Sequence, residues 1–173
     1  MSGGGKDTDL PAAHSLAGID GQPEQQRRQR AETVGFACAL ARRSRAHAGL
    51  PLGAFIQMVE DAFDQGQIKC YFNDFGLCMG YLCWAYLTPQ VERQLIAGAD
   101  HPLHLCEWNE GASLWIIDFL VPRGALPRVL ADMRDTLFAG RETITYVRVK
   151  RGKRICKRLS RTGFSHFLRN AAR

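Results

Sequence analysis

The chain has 173 residues, of which 46% are hydrophobic, and it carries a formal net charge of +6 at pH 7. This length predicts one domain with a hydrophobic core of its own. No stretch approaches the roughly 18 consecutive apolar residues of a membrane span, and the N-terminus lacks the apolar core of a signal peptide, so we predict a cytoplasmic protein without a transmembrane segment.

The N-terminal part of the sequence predicts a leader followed by two helices. Residues 1–30 are rich in Gly, Gln, Asp and Arg, which predicts disorder. A helix is expected from Ala31 to about Arg43, with a break at residues 47–51. Pro51 suits the first turn of a second helix. The apolar residues of that helix recur at helical spacing and form one stripe: Leu52, Phe55, Ile56, Val59 and Phe63.

The rest of the sequence alternates between strands and helices. A hairpin is predicted from strands at 68–73 and 77–86, and the second strand is apolar on both faces, which is typical of an interior strand. The later elements are a helix at 89–96, a polar loop at 97–111, a strand at 115–121, a helix at 126–137 and strands at 142–150 and 154–160. This order predicts an α+β fold, with helices packed on a mixed central sheet. We place the domain at residues 31–165 and a basic tail at 166–173.

Asp118 is unusual because it lies inside an apolar run, WIIDFLVP, that extends from Trp115 to Pro122. Side chains alternate along a strand, so Asp118 is expected to share a face with Ile116 and Leu120, and the other large residues of the run to lie on the opposite face. A carboxylate there must be hydrogen-bonded, ion-paired or protonated. Two interpretations remain: an aspartate that satisfies backbone amides or fixes a loop, and one half of an acid–base site.

His47 is the candidate partner of this carboxylate. It lies in the break between two helices that both need the sheet as cover, and such a loop can place a side chain over a strand face. On its own, a histidine in that position is more typical of capping or solvation. His14 and His166 lie near the chain ends, and His101 and His104 lie in the polar loop without an evident third ligand, so no metal site is predicted.

Four motifs, in this order, resemble the toxin-activating lysine-acyltransferases, the bacterial enzymes that fatty-acylate RTX protoxins. The motifs are SRAH at 44–47 followed by Pro51, GYLCWAYL at 80–87, WIIDFLVPRG at 115–124 and YVRV at 146–149 followed by a basic turn. The sequence departs from the family pattern at two tryptophans, which are replaced by Phe119 and Leu50. These differences affect the choice of acceptor more than the chemistry.

The resemblance implies both a fold and a reaction. The fold would be N-acetyltransferase-like, and the enzymes of the family are cytoplasmic and often homodimeric. No cofactor would be bound, because the donor is an acyl-phosphopantetheine on acyl carrier protein. His47 and Asp118 would be the essential catalytic pair. The acceptor would be an internal lysine of an RTX protoxin-like protein, which the reaction activates, and a short ribosomal peptide is the alternative acceptor.

Acyl transfer to lysine explains why a histidine and an aspartate would be needed. A free lysine with a pKa near 10.4 is neutral in only about one molecule in 2,500 at pH 7, a deficit of roughly 4.6 kcal/mol. His47 has a suitable pKa to act as the base, and Asp118 would orient its ring and stabilise the imidazolium. A covalent acyl-histidine remains open. Four aromatic residues are candidates to line an acyl cleft, although each is also typical of plain core: Phe55, Trp84, Trp115 and Phe119.

The basic C-terminal end predicts the docking surface for the carrier. Residues 141–173 contain eleven Lys and Arg and one Glu, whereas residues 1–140 contain 12 basic and 16 acidic residues. Such an end fits nucleic acid, an acidic carrier protein or an anionic membrane. The docking candidates are Arg148, Lys150, Arg151, Lys153, Arg154, Lys157 and Arg158. A nucleic-acid-binding protein would need exposed aromatics among these charges, and only Tyr146 and Phe164 qualify. A non-catalytic scaffold is the other alternative.

Overall fold

The computed structural model describes residues 23–98, 102–150 and 153–163, except for the side chains of residues 149 and 150. The predicted basic tail at 166–173 and most of the predicted leader lie outside these ranges. Within them, none of the helices combines the length and the apolar character that crossing a bilayer requires.

The first helix, α1, spans Glu24–Ala41 and begins seven residues before the predicted start. Residues 24–30, which we assigned to the disordered leader, are therefore helical. Ion pairs stabilise this polar segment as a helix, because Arg28 pairs with Glu32 one turn later and Arg30 pairs with two acids of the next helix. Composition alone had suggested disorder because it does not record these pairings.

The second helix, α2, spans Leu52–Asp64. Its buried side chains include Phe55 and Val59 of the predicted stripe, whereas Leu52 is 65% exposed. Pro51 precedes the helix as its N-cap. The ten residues between α1 and α2 form a series of turns, in which His47 N donates to Ser44 O and Leu50 N donates to His47 O.

Five strands form one sheet in the order β1-β2-β3-β4-β5. Their bounds are Ile68–Phe72, Cys78–Leu87, Ser113–Leu120, Thr143–Lys150 and Lys153–Ser160. All neighbouring pairs are antiparallel except β3 and β4, which are parallel. The predicted hairpin is confirmed, and its turn is stabilised by the Asn73 side chain, which accepts from the amides of Phe75 and Leu77.

Two further helices connect the strands. Helix α3, Pro89–Ala97, follows β2, and Gly98 at its end has a φ of 83°, a conformation that glycine adopts at low cost. A short 3₁₀ helix, Leu105–Trp108, lies in the loop predicted to be polar. Helix α4, Leu126–Asp132, follows β3 and continues as one π-helical turn, Met133–Leu137. The predicted α+β fold with a mixed sheet is confirmed, and its likeness to N-acetyltransferases stays a prediction.

Each face of the sheet carries its own apolar core. Helices α1, α2 and α3 cover one face, which we call the three-helix face. Helix α4 and the π turn cover the other, which we call the α4 face. The largest fully buried side chains include Trp108, Trp115 and Tyr81 on the three-helix face, and Leu82 and Val129 on the α4 face.

A β-bulge changes the orientation of side chains along β3. Cys83 of β2 lies opposite Asp118, and the next residue, Trp84, lies opposite Ile116, so Ile117 is an extra residue in β3. Ile116 packs on the α4 face, whereas both Ile117 and Leu120 pack on the three-helix face. The prediction that Asp118 shares a face with Ile116 is therefore wrong, because strict alternation does not hold across a bulge.

The parallel pairing of β3 with β4 is short. It includes only Trp115 with Thr145 and Ile116 with Tyr146, although β3 continues to Leu120 and β4 to Lys150. The two strands therefore separate over their last residues and leave an opening in the sheet. At the same end, a Cβ on Gly80 of β2 would lie 2.6 Å from the Leu120 carbonyl oxygen, so only glycine lets β2 approach β3 there.

Candidate active site

His47 and Asp118, predicted to converge, are in direct contact. The Nε2 atom of His47 lies 3.0 Å from both carboxylate oxygens of Asp118. The side chains are only 8% and 17% exposed, respectively. The turns after α1 bring the imidazole over the three-helix face, and the bulge in β3 brings the carboxylate to the same face. These two local features bring together two residues that are 71 positions apart in the sequence.

The carboxylate of Asp118 has two further donors. The Tyr81 hydroxyl donates to Oδ2 at 2.6 Å, and the Phe119 amide donates to Oδ1 at 2.9 Å. These bonds keep the carboxylate oriented in a largely buried site. Sequence reasoning missed Tyr81, which is fully buried in β2 opposite Leu120. Tyr81 lies two residues before Cys83, the register partner of Asp118, so the side chains of Tyr81 and Asp118 share a face of the sheet. The sequence alone does not give the pairing of β2 with β3 on which this inference depends.

Ser44 completes a chain of hydrogen bonds through the imidazole. Its Oγ lies 2.8 Å from Nδ1 of His47. Because Nε2 faces a carboxylate, this network assigns the ring proton to Nε2, and Nδ1 then accepts from the Ser44 hydroxyl. The order serine, histidine, aspartate is that of a nucleophile or proton donor, a base and an orienting acid.

The environment shifts the pKa values of both partners of Asp118. The hydrogen bond to Asp118 raises the pKa of His47 above its usual value, burial opposes this, and the charge of Asp118 adds to the increase. Burial, and then the charge of Asp118, raise the pKa of Tyr81. Tyr81 is thus a neutral donor at physiological pH, and His47 takes up a proton more readily than a free histidine.

An apolar cavity of about 590 Å³ extends from this pair through the opening in the sheet. His47, Asp118 and Val147 line it on the three-helix side. On the α4 side its walls are mostly aliphatic. These wall residues are Leu126, Leu130, Met133, Ile144 and Leu159. Its volume lies within the range of small-molecule sites in proteins, about 300–1,000 Å³.

The aromatic residues predicted to line an acyl cleft are separated by the fold. Phe119 lines the cavity. Trp115 is 1% exposed on the three-helix face, where its Nε1 donates to Glu92 of α3. Trp84 packs edge-to-face against Phe138 in the α4 core. Phe55 contacts the edge of the His47 ring, with centroids 5.9 Å apart, and supports the imidazole rather than the cavity wall.

The predicted docking residues lie on two different faces of the β4–β5 hairpin. Alternation from Ile144, which packs on the α4 face, places Arg148 on that face together with Lys153 and Lys157 of β5. Arg148 also lines the cavity. Arg154 and Arg158 belong to the opposite face, where Arg154 donates to the Leu95 carbonyl of α3. The side chain of Lys150 and all of Arg151 lie outside the described residues.

The remaining histidine assigned to the polar loop has a structural role. His104 caps the 3₁₀ helix in a reciprocal arrangement with Glu107. His14, His101 and His166 lie outside the described residues. Among the residues that the structure describes, no three His, Cys, Asp or Glu side chains are grouped so that they could hold a metal ion.

Comparison with known proteins identifies related sequences. The model of the RTX toxin acyltransferase family matches residues 26–162, which include all of α1 but its first two residues and every later element to the end of β5. The chain is 23% identical over 107 residues to lysine-acyltransferase RtxC of Vibrio cholerae serotype O1, an alignment that covers 62% of this chain and 69% of the relative.

Two other relatives match shorter segments. The RTX-II toxin-activating lysine-acyltransferase ApxIIC of Actinobacillus pleuropneumoniae is 27% identical over 89 residues, which cover 51% of this chain and 54% of the relative. The uncharacterized protein sll0720 of Synechocystis sp. is 32% identical over 60 residues, which cover 35% of this chain and 40% of the relative. The chain thus spans only about half of these two relatives.

Proposed function

The chain belongs to the RTX toxin acyltransferase family, and we propose that it transfers a fatty acyl group from acyl carrier protein to the side-chain amine of a lysine in an RTX protoxin-like acceptor, which it thereby activates. The observation that carries this proposal is the contact of His47 with Asp118 at the mouth of an apolar cavity. The names of two relatives, both lysine-acyltransferases, support the same reaction.

The reaction is an aminolysis of a thioester. The lysine Nζ attacks the carbonyl carbon of the acyl-phosphopantetheine, a C–N bond forms, and the C–S bond breaks. One amine proton goes to the base, and the pantetheine thiol leaves with a proton returned from it. The products are an amide and a free thiol, so no cofactor or redox partner is needed.

His47 is the base in this proposal, and its reactive atom is Nδ1. Nε2 is directed to Asp118, so the lone pair of the imidazole lies on the side of Ser44. The amine proton can reach Nδ1 either directly, when the amine displaces the hydroxyl, or through Ser44 as a relay. Asp118 stabilises the imidazolium that forms, and Tyr81 fixes the orientation of Asp118.

The shape of the cavity supports a separate entry for each substrate. The acyl chain would pass between β3 and β4 and lie against the aliphatic walls under α4, where each buried methylene contributes about 0.8 kcal/mol. The thioester carbonyl would then remain in the opening, beside His47. The acceptor lysine would approach from the three-helix side, where the turns at residues 42–51 are exposed for the most part.

The carrier would dock at the end of the sheet where the opening lies. Acyl carrier proteins are acidic, and Arg148, Lys153 and Lys157 lie on the α4 face of the hairpin that flanks the cavity. Opposite charges increase the rate of encounter more than they increase affinity. We therefore expect carrier binding to weaken as salt concentration rises.

The cellular setting follows from the same proposal. A reaction with acyl carrier protein requires a cytoplasmic enzyme, as the sequence predicted. The homodimer that the family resemblance implies stays a prediction, and sedimentation of the purified protein at several concentrations measures it.

A transfer assay tests the proposal. The protein is incubated with acyl carrier protein that bears isotope-labelled saturated chains and with an RTX protoxin acylation domain, and mass spectrometry locates the label. Label on a lysine with wild type, and its loss with His47→Ala, is the expected result. Label that never leaves the carrier refutes the reaction. Salt-sensitive retention of DNA without transfer would instead favour a nucleic-acid-binding protein, and label on a short lysine peptide alone would favour the peptide acceptor.

A further inference from the structure

One end of the apolar cavity is closed by side chains that it shares with a second cavity. Met133, Ile144 and Leu159 line the cavity on its α4 side, and the same three residues also line a second, much smaller cavity of about 10 Å³. Phe138 and Arg141 line only the smaller cavity. The three shared residues therefore separate the large apolar cavity from a small space near the start of β4, which Arg134, Glu142 and Arg161 also line.

The order of residues along the chain gives the direction of this cavity. β3 ends beside the opening, and α4 then runs back along the sheet from Leu126 to Met133, while β4 begins at the far end near Ile144. Leu126 therefore lies near the mouth of the cavity, and Met133 lies at its far end. Met133 is 3% exposed and begins the π-helical turn, an irregularity that is common at functional sites.

We propose that Met133, Ile144 and Leu159 form a floor that limits the length of the acyl chain, with Met133 as the main determinant of chain-length specificity. This inference rests on the proposed function, because it takes the occupant of the cavity to be a saturated acyl chain. A chain that enters at the opening and runs under α4 reaches these three side chains with its terminal methyl group. Methionine is unbranched and fills irregular gaps, so its truncation should enlarge this end of the cavity and leave the other lining side chains in place.

Truncating Met133 is expected to join the two cavities. Met133→Ala removes the three heavy atoms beyond Cβ and should extend the space available to the end of the chain. For each additional methylene that becomes buried, the preference for the longer chain over the shorter one should rise by about fourfold. The change affects the ratio of rates between chain lengths more than the rate with a short chain.

The experiment is a competition between carriers in one reaction. Wild type, Met133→Ala and the matched control Leu126→Ala are each given an equimolar mixture of acyl carrier proteins with saturated chains of increasing even length. Mass spectrometry of the acceptor then gives the distribution of attached chains. We expect the distribution of Met133→Ala to move to longer chains. That of Leu126→Ala, which widens the same cavity near its mouth, should keep the wild-type distribution.

The outcomes separate this inference from the reaction itself. If wild type transfers chains and Met133→Ala leaves their distribution unchanged, the floor is refuted and the proposed function stands. An equal shift in Leu126→Ala also refutes the floor, because it shows a general loosening. Absence of transfer by wild type overturns both proposals. Should Met133→Ala melt below the assay temperature, Ile144→Val removes a single methyl group at the same floor and must give a smaller shift in the same direction.

Discussion

The two edges of strand β3 differ sharply in how they are paired. On one side β3 pairs with β2 from Ser113 to Leu120, interrupted only by the bulge at Ile117. On the other side it pairs with β4 only at Trp115 and Ile116. The paired edge fixes the position of Asp118, since its register partner Cys83 and the donor Tyr81 both belong to β2. The open edge leaves room for a cavity that passes through the sheet.

This difference suggests a division of roles along a single strand. Hydrogen-bonded pairing orients the acid–base pair, and in our proposal the missing pairing admits the acyl chain of the donor. Backbone groups without a strand partner carry a cost unless something else satisfies them, so a separation of this kind in the middle of a sheet is typical of a functional site.

The largest expected effect is on the acid–base pair at the paired edge. Asp118→Asn keeps the shape of the side chain but removes the charge that stabilises the His47 imidazolium, and His47→Ala removes the base. Each should lower kcat for lysine acylation by about a thousandfold, within the range for general acid–base groups. Asp135→Asn, the same change at an exposed carboxylate of the π turn, is the control and should leave the rate unchanged. Wild-type rates in both site variants would refute the assignment.

A smaller effect is expected at the other nitrogen of the imidazole. Ser44→Ala removes the hydroxyl 2.8 Å from Nδ1 and should lower kcat by about tenfold, the scale of one hydrogen bond. Steady-state rates at saturating donor measure this change. A drop as large as that of His47→Ala, accompanied in wild type by an acyl-serine detected by mass spectrometry, would show that Ser44 is a nucleophile instead of a relay.

At the open edge, the KM for the acyl carrier protein should depend on charge on only one face of the β4–β5 hairpin. Lys157 and Arg158 are neighbours on β5, both exposed, and alternation directs them to opposite faces. Lys157→Glu, on the cavity side, should raise the KM for the acyl carrier protein a few-fold at low salt, and the difference should shrink at high salt. Arg158→Glu should change it little. Equal effects of the two reversals would contradict a docking site on the α4 face.

The smallest expected effect is on stability as a function of pH. The folded-state pKa of His47 is raised by its bond to Asp118. Between the pKa of a free histidine and this raised pKa, the folded protein therefore binds more protons than the unfolded chain. The contribution of this pair is therefore fully present below about pH 6.5 and is lost as pH rises through the raised pKa of His47. Urea unfolding across this interval should show wild type losing this contribution and His47→Ala lacking it. If the free energy of unfolding of wild type relative to His47→Ala instead increased with pH, the predicted direction would be contradicted.

Particular residues show what the sequence allowed us to predict. The helices, the hairpin and the apolar run around Asp118 follow from periodicity, whereas the assignment of His47 depended on the resemblance to the acyltransferase family. Asp118 shares a face with Leu120 as predicted but not with Ile116, because one extra residue, Ile117, reverses the alternation, and a bulge depends on pairing with another strand. Tyr81 was missed for the same reason.

The sequence alone also could not predict on which face of the sheet each basic or aromatic residue lies. Lys157 and Arg158 look equivalent in a basic cluster until the register with β4 assigns their faces. Trp115 and Phe119 look equivalent in one apolar run, but Trp115 precedes the bulge and faces α3, whereas Phe119 follows it and lines the cavity. Periodicity describes an element alone, and these distinctions arise between elements.

The central claim is that the donor chain passes between β3 and β4 and presents its carbonyl to His47. A crystal structure with a non-hydrolysable acyl-pantetheine tests it most directly. We predict the carbonyl carbon in the opening beside His47 and Asp118, with the chain against Leu130 and Met133. A chain that lies elsewhere on the protein, with the opening between the strands empty, would contradict the account.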